Sequence, residues 1–194
     1  MRVVAGSARG RKLKEPSGLT IRPTNGRVKE AAFDIVQFQI DGSRVLDLFA
    51  GTGQIGIEAL SRGAAGVVFV DSSRDAVNLI RKNLGLCGFT DRAVVFPEDA
   101  LRFLEKDGQY DFIYIDPPYD TTLAVDALMK IIKFDMLKSD GIIMCEIKAD
   151  FILPSVPPPY GLRREYRYGS VKIALYGRGA SVSGNQILGR GHEV

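Results

Sequence analysis

Four short apolar runs, each with an acid at or near its carboxyl end, alternate with stretches of helical periodicity through the middle of this chain. Arg44–Phe49 (RVLDLF) contains Asp47. Gly66–Val70 (GVVFV) closes on Asp71. Ala93–Phe96 is followed by Glu98-Asp99-Ala100, and Tyr110–Ile115 (YDFIYI) closes on Asp116. Between them, residues 55–62, 74–86, 101–106 and 122–133 carry helical patterns. Runs this short are strands, and strands spaced by helices join as parallel neighbours through crossovers. The expected fold is therefore α/β, an open, mostly parallel sheet with helices on both faces. Such a sheet binds ligands beyond the carboxyl ends of its strands, where the strand order reverses.

The flanks differ. Residues 2–14 mix short apolar runs with Arg and Lys and read as a small β-hairpin turning at Gly6 or Gly10. Residues 27–39 read as a helix with Val28, Ala31, Ala32, Ile35 and Phe38 on its buried face. Gly141–Ile147 and Val171–Tyr176 are apolar strands with only loop expected between them, which predicts a C-terminal antiparallel hairpin. The expected organisation is one domain over residues 1–176, with residues 1–20 as a basic extension and residues 177–194 as a Gly/Ser-rich flexible tail.

Composition excludes several classes. The 194 residues hold no apolar run near the roughly 20 residues of a membrane span, and the N-terminus lacks a secretory h-region. A cytoplasmic protein is expected. Cys87 and Cys145 stand far apart in apolar surroundings and read as reduced thiols; no metal site is expected. The single histidine, His192, lies near the C-terminus, which argues against histidine-dependent catalysis. Charge is uneven: residues 1–40 carry net +5, residues 41–150 net −6 and residues 151–194 net +4. The basic flanks suit a polyanionic partner; they read equally as solvated termini.

GTGQIG at residues 51–56 is a literal G-x-G-x-x-G between a strand and a helix. On its own it is weak. A nicotinamide cofactor would set its pyrophosphate over the helix N-terminus, where a neighbouring acid repels it. Asp47, four residues before the first glycine, instead suits a cationic ligand. S-adenosyl-L-methionine carries a sulfonium, an ammonium and an adenosine, and no phosphate. Asp71, twenty residues after Gly51, is placed to take ribose hydroxyls; its plainer reading is a helix cap, a role Ser72 or Ser73 would also fill.

Asp116-Pro117-Pro118-Tyr119 supplies the reaction chemistry. An exocyclic amine on a nucleobase is a poor nucleophile, because its lone pair is delocalised into the ring. Asp116 accepting one N–H, and the Pro117 carbonyl the other, favours a pyramidal nitrogen. Two prolines fix the backbone that presents that carbonyl. Tyr119 offers a face for an extruded base. The plainer reading of the four residues is a rigid turn closing a strand.

RPTNGRVKEAAFDI, DLFAGTGQIGIEALSRGA and DPPY, in that order, together with the opening VVAGSARGRKL, resemble the RsmD-type family of bacterial small-subunit rRNA guanine-N2 methyltransferases over residues 2–176. The resemblance implies a Rossmann-like class I methyltransferase with a seven-stranded sheet and S-adenosyl-L-methionine as donor. It implies one guanine of 16S rRNA as target, presented within the small ribosomal subunit or its assembly intermediate. By position, Asp47, Ala50, Gly51 and Gly53 would line the donor, Asp71 with Ser72 the ribose, and Asp99 with Ala100 the adenine side. Thr24 and Arg27 would close over the methionine end or the substrate. Asp116, Pro117, Pro118 and Tyr119 would hold the base, and Arg9, Arg11, Lys12, Arg22 and Arg27 would meet RNA. The tail beyond Tyr176 departs from the pattern. Rival readings are the same chemistry on DNA adenine N6 or a small molecule, a non-enzymatic assembly factor, and a nicotinamide oxidoreductase. Nothing in the sequence requires more than a monomer.

Overall fold

A computed structural model describes residues 1–15, 26–119 and 121–179, leaving aside the side chains of Gly26 and Arg27. Seven strands form one sheet in the order β3-β2-β1-β4-β5-β7-β6. The strands are β1 (Arg44–Leu48), β2 (Gly66–Val70), β3 (Ala93–Phe96), β4 (Tyr110–Ile115), β5 (Leu137–Lys148), β6 (Tyr160–Tyr168) and β7 (Val171–Arg178). The first five pair in parallel, while β7 runs antiparallel between β5 and β6. The helices are α1 (Gly26–Val36), α2 (Gln54–Ser61), α3 (Arg74–Cys87), α4 (Ala100–Phe103) and α5 (Leu123–Lys133).

Each face of the sheet has its own apolar cluster. Val28, Phe33 and Val36 of α1, Ile57 and Leu60 of α2, and Ile80 and Leu84 of α3 pack on one face with Val45, Phe112 and Met144. Phe103 of α4 and Ala127, Leu128 and Ile131 of α5 pack on the other with Leu46, Ile113 and Cys145. Both faces being covered is why β2 reads as a continuous apolar run rather than an alternating one, and why β1 is buried on both faces around Asp47. Gly56 is required by the first packing. A Cβ there would lie 2.2 Å from the Phe69 ring and 2.8 Å from Val67, so only glycine lets α2 sit this close to β2. No helix among the described residues is long and apolar enough to cross a membrane, and both cysteines are free.

Several local expectations are corrected. The link between the last two expected strands contains β6, one of the sheet's two edge strands, whose sequence YGLRREYRY lacks an apolar run. The antiparallel C-terminal hairpin is therefore β6–β7, with β7 also pairing to β5. Helix α1 stops at Val36, so Phe38 falls beyond it and is 90% exposed. Phe33 and Val36 are buried on the helix face instead. β5 starts at Leu137, earlier than Gly141.

At the N-terminus, the expected hairpin is reduced to one antiparallel bridge, Arg2 with Lys12. Gly6 and Gly10 both have positive φ in the intervening loop. Besides its own backbone bonds, such as Val3 N–H to the Arg11 carbonyl at 3.0 Å, the loop is tied to α2. Ser7 N–H donates to the Ser61 carbonyl at 2.7 Å, Ala8 N–H donates to Ser61 Oγ at 2.9 Å, and Ser61 Oγ–H donates to the Ala5 carbonyl. Val3 and Leu13 are buried beneath it.

Candidate active site

The strand order reverses between β1 and β4, and a cleft of about 1140 Å³ opens there at the carboxyl edge of the sheet. Asp47, Ala50, Gly51, Asp71, Ser72, Asp99, Ala100, Asp116, Pro117, Pro118 and Tyr119 all line it. Four separate strand ends thus bring the expected donor and target residues to one concavity. Gly53 does not line it. With φ 74° it caps α2, and its Cα faces Ile80. Thr24 and Arg22 fall outside the described residues, as does the Arg27 side chain.

The glycine turn is tied to the acids around it. Phe49 leaves β1 with φ 64°, a left-handed conformation strained for a bulky residue, and so swings the chain over the strand end. Gly51 N–H donates to Asp71 Oδ2 at 2.8 Å, and Ser73 N–H donates to Asp71 Oδ1 at 2.8 Å. Asp71 therefore links the ends of β1 and β2, and Ser73, whose Oγ accepts from Ala76 N–H, caps α3. Asp99 does act as a cap, accepting from Arg102 N–H at the start of α4 while exposed in the cleft wall.

Asp47 is buried under the turn, and its Oδ2 accepts from Gly56 N–H at 2.9 Å. Burial drives its carboxyl up to about 8; the Gly56 bond opposes the rise and the charge on Asp71 adds to it. A buried acid that resists ionisation alone is one that a cation would stabilise. Beside it, Gln54 at the start of α2 has its Oε1 buried with no hydrogen-bond partner among the described residues. Buried polar atoms are almost always satisfied, so both groups fit the cationic, hydrogen-bonding amino-acid end of S-adenosyl-L-methionine. The raised value also sets a pH dependence. The unfolded carboxyl titrates near 3.8 and the folded one near 8, so the folded state holds the extra proton between those values. Stability from this group is present below the lower value and is lost as pH rises through the upper, at about 1.4 kcal/mol per pH unit at most. Asp47→Asn keeps an acceptor for Gly56 and removes the titration. Urea midpoints are expected to match wild type at acid pH and exceed it at pH ~9; equal midpoints at both would show that Asp47 ionises freely.

Tyr114 of β4 also lines the cleft and pairs alongside Asp47 of β1. Its hydroxyl donates to Glu146 Oε2 on β5, and the Tyr119 hydroxyl donates to Glu146 Oε1 at 3.4 Å. Burial, followed by the charges of Glu146 and Asp116, holds the Tyr114 phenol well above its ordinary range, so it remains a donor. Glu146 is 3% exposed and lines the cleft. The sequence reading passed over it, although an acid near the carboxyl end of GIIMCEI was a legible signal. Arg9, Arg11 and Lys12 are exposed around a smaller concavity of about 350 Å³ in the N-terminal loop.

A Rossmann-like sheet with this acid-lined cleft at its switch point is that of the S-adenosyl-L-methionine-dependent methyltransferases. Within that class, the chain belongs to the family described as Conserved hypothetical protein 95, whose profile matches residues 1–177. It is 38% identical to YlbH of Bacillus subtilis (strain 168) over 180 residues, 91% of this chain and 98% of that one. It is 34% identical to Ribosomal RNA small subunit methyltransferase D of Escherichia coli (strain K12) over 181 residues, 93% of this chain and 91% of the relative. The solved structure of yhhF from Escherichia coli superposes with a TM-score of 0.83 at 34% identity, covering 93% of this chain and 99% of that one.

Proposed function

We propose that this chain methylates the exocyclic N2 amine of a guanine in small-subunit ribosomal RNA. The carrying observation is that Asp116-Pro117-Pro118-Tyr119 faces the same cleft as Asp47, Gly51 and Asp71. Target and donor groups thus share one space. The relative named Ribosomal RNA small subunit methyltransferase D supports the substrate class.

The donor supplies an electrophilic methyl group, and this chain's residues arrange the acceptor. Asp116 and the Pro117 carbonyl accept the two amine N–H groups, so the nitrogen lone pair is directed at the methyl. Tyr119 holds the base, drawn out of its stack, by its face. As the C–N bond forms and the C–S bond breaks, the nitrogen becomes acidic and yields a proton to Asp116 or water. Catalysis is positioning and charge placement, with no strong base. Arg9, Arg11 and Lys12 meet phosphates, as do Arg22 and Arg27; contacts of this type carry most of the affinity. In this reading residues 1–176 act as one domain with a basic N-terminal extension, monomeric and cytoplasmic, on the small subunit or its assembly intermediate.

The test is transfer of labelled methyl to small subunits, large subunits, naked small-subunit rRNA and duplex DNA, followed by digestion to nucleosides. N2-methylguanosine from the small subunit is the expected product. Label in N6-methyladenine, or only in DNA, would replace the substrate. No transfer to any of them, with donor binding intact, would favour a small-molecule substrate or an assembly factor.

A further inference from the structure

A buried acid in the cleft has no part in the transfer just described. Glu146 sits on β5 one residue past the last β4–β5 pair, Ile115 with Cys145, and Asp116 is likewise the residue after Ile115, just beyond β4. Its backbone is fixed on the other side by pairing with Ile173 of β7. Its carboxylate takes the hydroxyls of two tyrosines of unequal freedom. Tyr114 is 1% exposed within the sheet, whereas Tyr119 is half-buried in the turn after the two prolines.

We propose that Glu146 is a positioning residue: anchored by Tyr114, it holds the Tyr119 ring through its hydroxyl and so sets the face against which the target base rests. This rests on the function proposed above. A long side chain in a turn has several rotamers, and proline fixes only the backbone before it. The ring packs along the edge of the apolar cluster on that face, and the 3.4 Å bond from its hydroxyl to Glu146 adds a directional restraint at the far end. A buried carboxylate is costly unless hydrogen-bonded, and two of the bonds to this one come from aromatic side chains that line the cleft.

The test compares wild type with Glu146→Gln, Glu146→Ala, Tyr119→Phe and the Glu146→Ala/Tyr119→Phe pair. Donor Kd is read by calorimetry, kcat and KM on small subunits, and the Tyr119 ring signal by NMR of ¹³C-tyrosine protein, identified by its loss in Tyr119→Phe. Glu146→Ala is expected to lower kcat by about 10–100-fold, the effect of a small misplacement, with donor Kd unchanged. Glu146→Gln, which keeps an acceptor, is expected to recover most of that loss. Tyr119→Phe is expected to match Glu146→Ala, and the double variant to be no worse than either, because both break one link. The Tyr119 ring signal should shift in Glu146→Gln. Multiplying effects in the double variant, a kcat loss matched by loss of donor binding, or an unmoved ring signal would each overturn the proposal. If wild type methylates no RNA, the functional reading fails by itself, and the ring signal still decides whether Glu146 holds Tyr119.

Discussion

Asp116→Ala is expected to lower methyl transfer by roughly 10²–10⁴-fold while leaving donor binding close to wild type. The reason lies in where the residue stands. Asp116 follows β4 and lines the cleft, and it takes no part in the Asp47–Gly56 and Asp71–Gly51 ties that shape the donor side. Removing it takes away an acceptor for the amine N–H and the nearest sink for the departing proton. Asp116→Asn separates these roles from simple volume, since the amide keeps the shape but can turn an N–H toward the amine. It is expected to lose nearly as much as alanine. The comparison is of kcat with donor Kd on the same preparations. A collapse of donor Kd with turnover preserved at saturation would move Asp116 to the donor site and end the assignment of Asp116-Pro117-Pro118-Tyr119 to the target.

The second large effect concerns stability. Glu58 of α2 is 1% exposed yet ionic, and it joins the N-terminal loop to the glycine-turn helix. Its carboxylate accepts from the N–H groups of Val4 and Ala5 at 2.9 Å each and from Arg62 Nε at 3.0 Å, with Lys29 Nζ at 3.4 Å. Lys29 is itself 2% exposed and donates to the Arg2 carbonyl. Burial pulls the Lys29 ammonium below its ordinary range, and Glu58 opposes that pull. Glu58→Ala therefore strands a buried cation and two backbone donors. Breaking one side of a buried pair costs about 3–5 kcal/mol, a fall in Tm of about 6–20 °C for a chain of this size. Glu58→Gln, which keeps an acceptor oxygen, is expected to fall less. The loop carrying Arg9, Arg11 and Lys12 hangs on these bonds, so RNA affinity should fall with Tm. Calorimetric scanning decides it: an alanine variant melting within a degree or two of wild type would mean that the Ser61 bonds and the burial of Val3 and Leu13 hold the loop without Glu58.

How far the sequence could be read depended on how local the signal was. Helix α3 was legible because its caps lie within its own segment: Ser73 accepts from Ala76 N–H, and Gly88 closes the other end at φ 72°. The glycine turn was legible for a similar reason, since glycine adopts the φ of 54° at Gly51 and 74° at Gly53 without the steric cost other residues bear there. β6 was not legible. An outer strand buries little, and its polar run LRREYRY has strand character only because β7 lies beside it. The stop of α1 at Val36 was likewise invisible, because an amphipathic pattern can continue past the last helical hydrogen bond, as Phe38 shows.

The same division runs through the site. The sequence by itself determined the alternation of strands and helices, the glycine turn, and the acids near the strand ends, because each is a property of neighbouring residues. Only the tertiary structure decided that Asp47 is buried with its carboxyl near 8, that Glu146 takes the hydroxyls of two tyrosines, and that Glu58 carries the N-terminal loop. Glu146 and Tyr114 are 32 residues apart in the chain, and Glu58 and Val4 are 54 apart. Burial and hydrogen bonding between such groups are set by how the sheet is ordered and how closely α2 packs on it, and no pattern of adjacent residues encodes either.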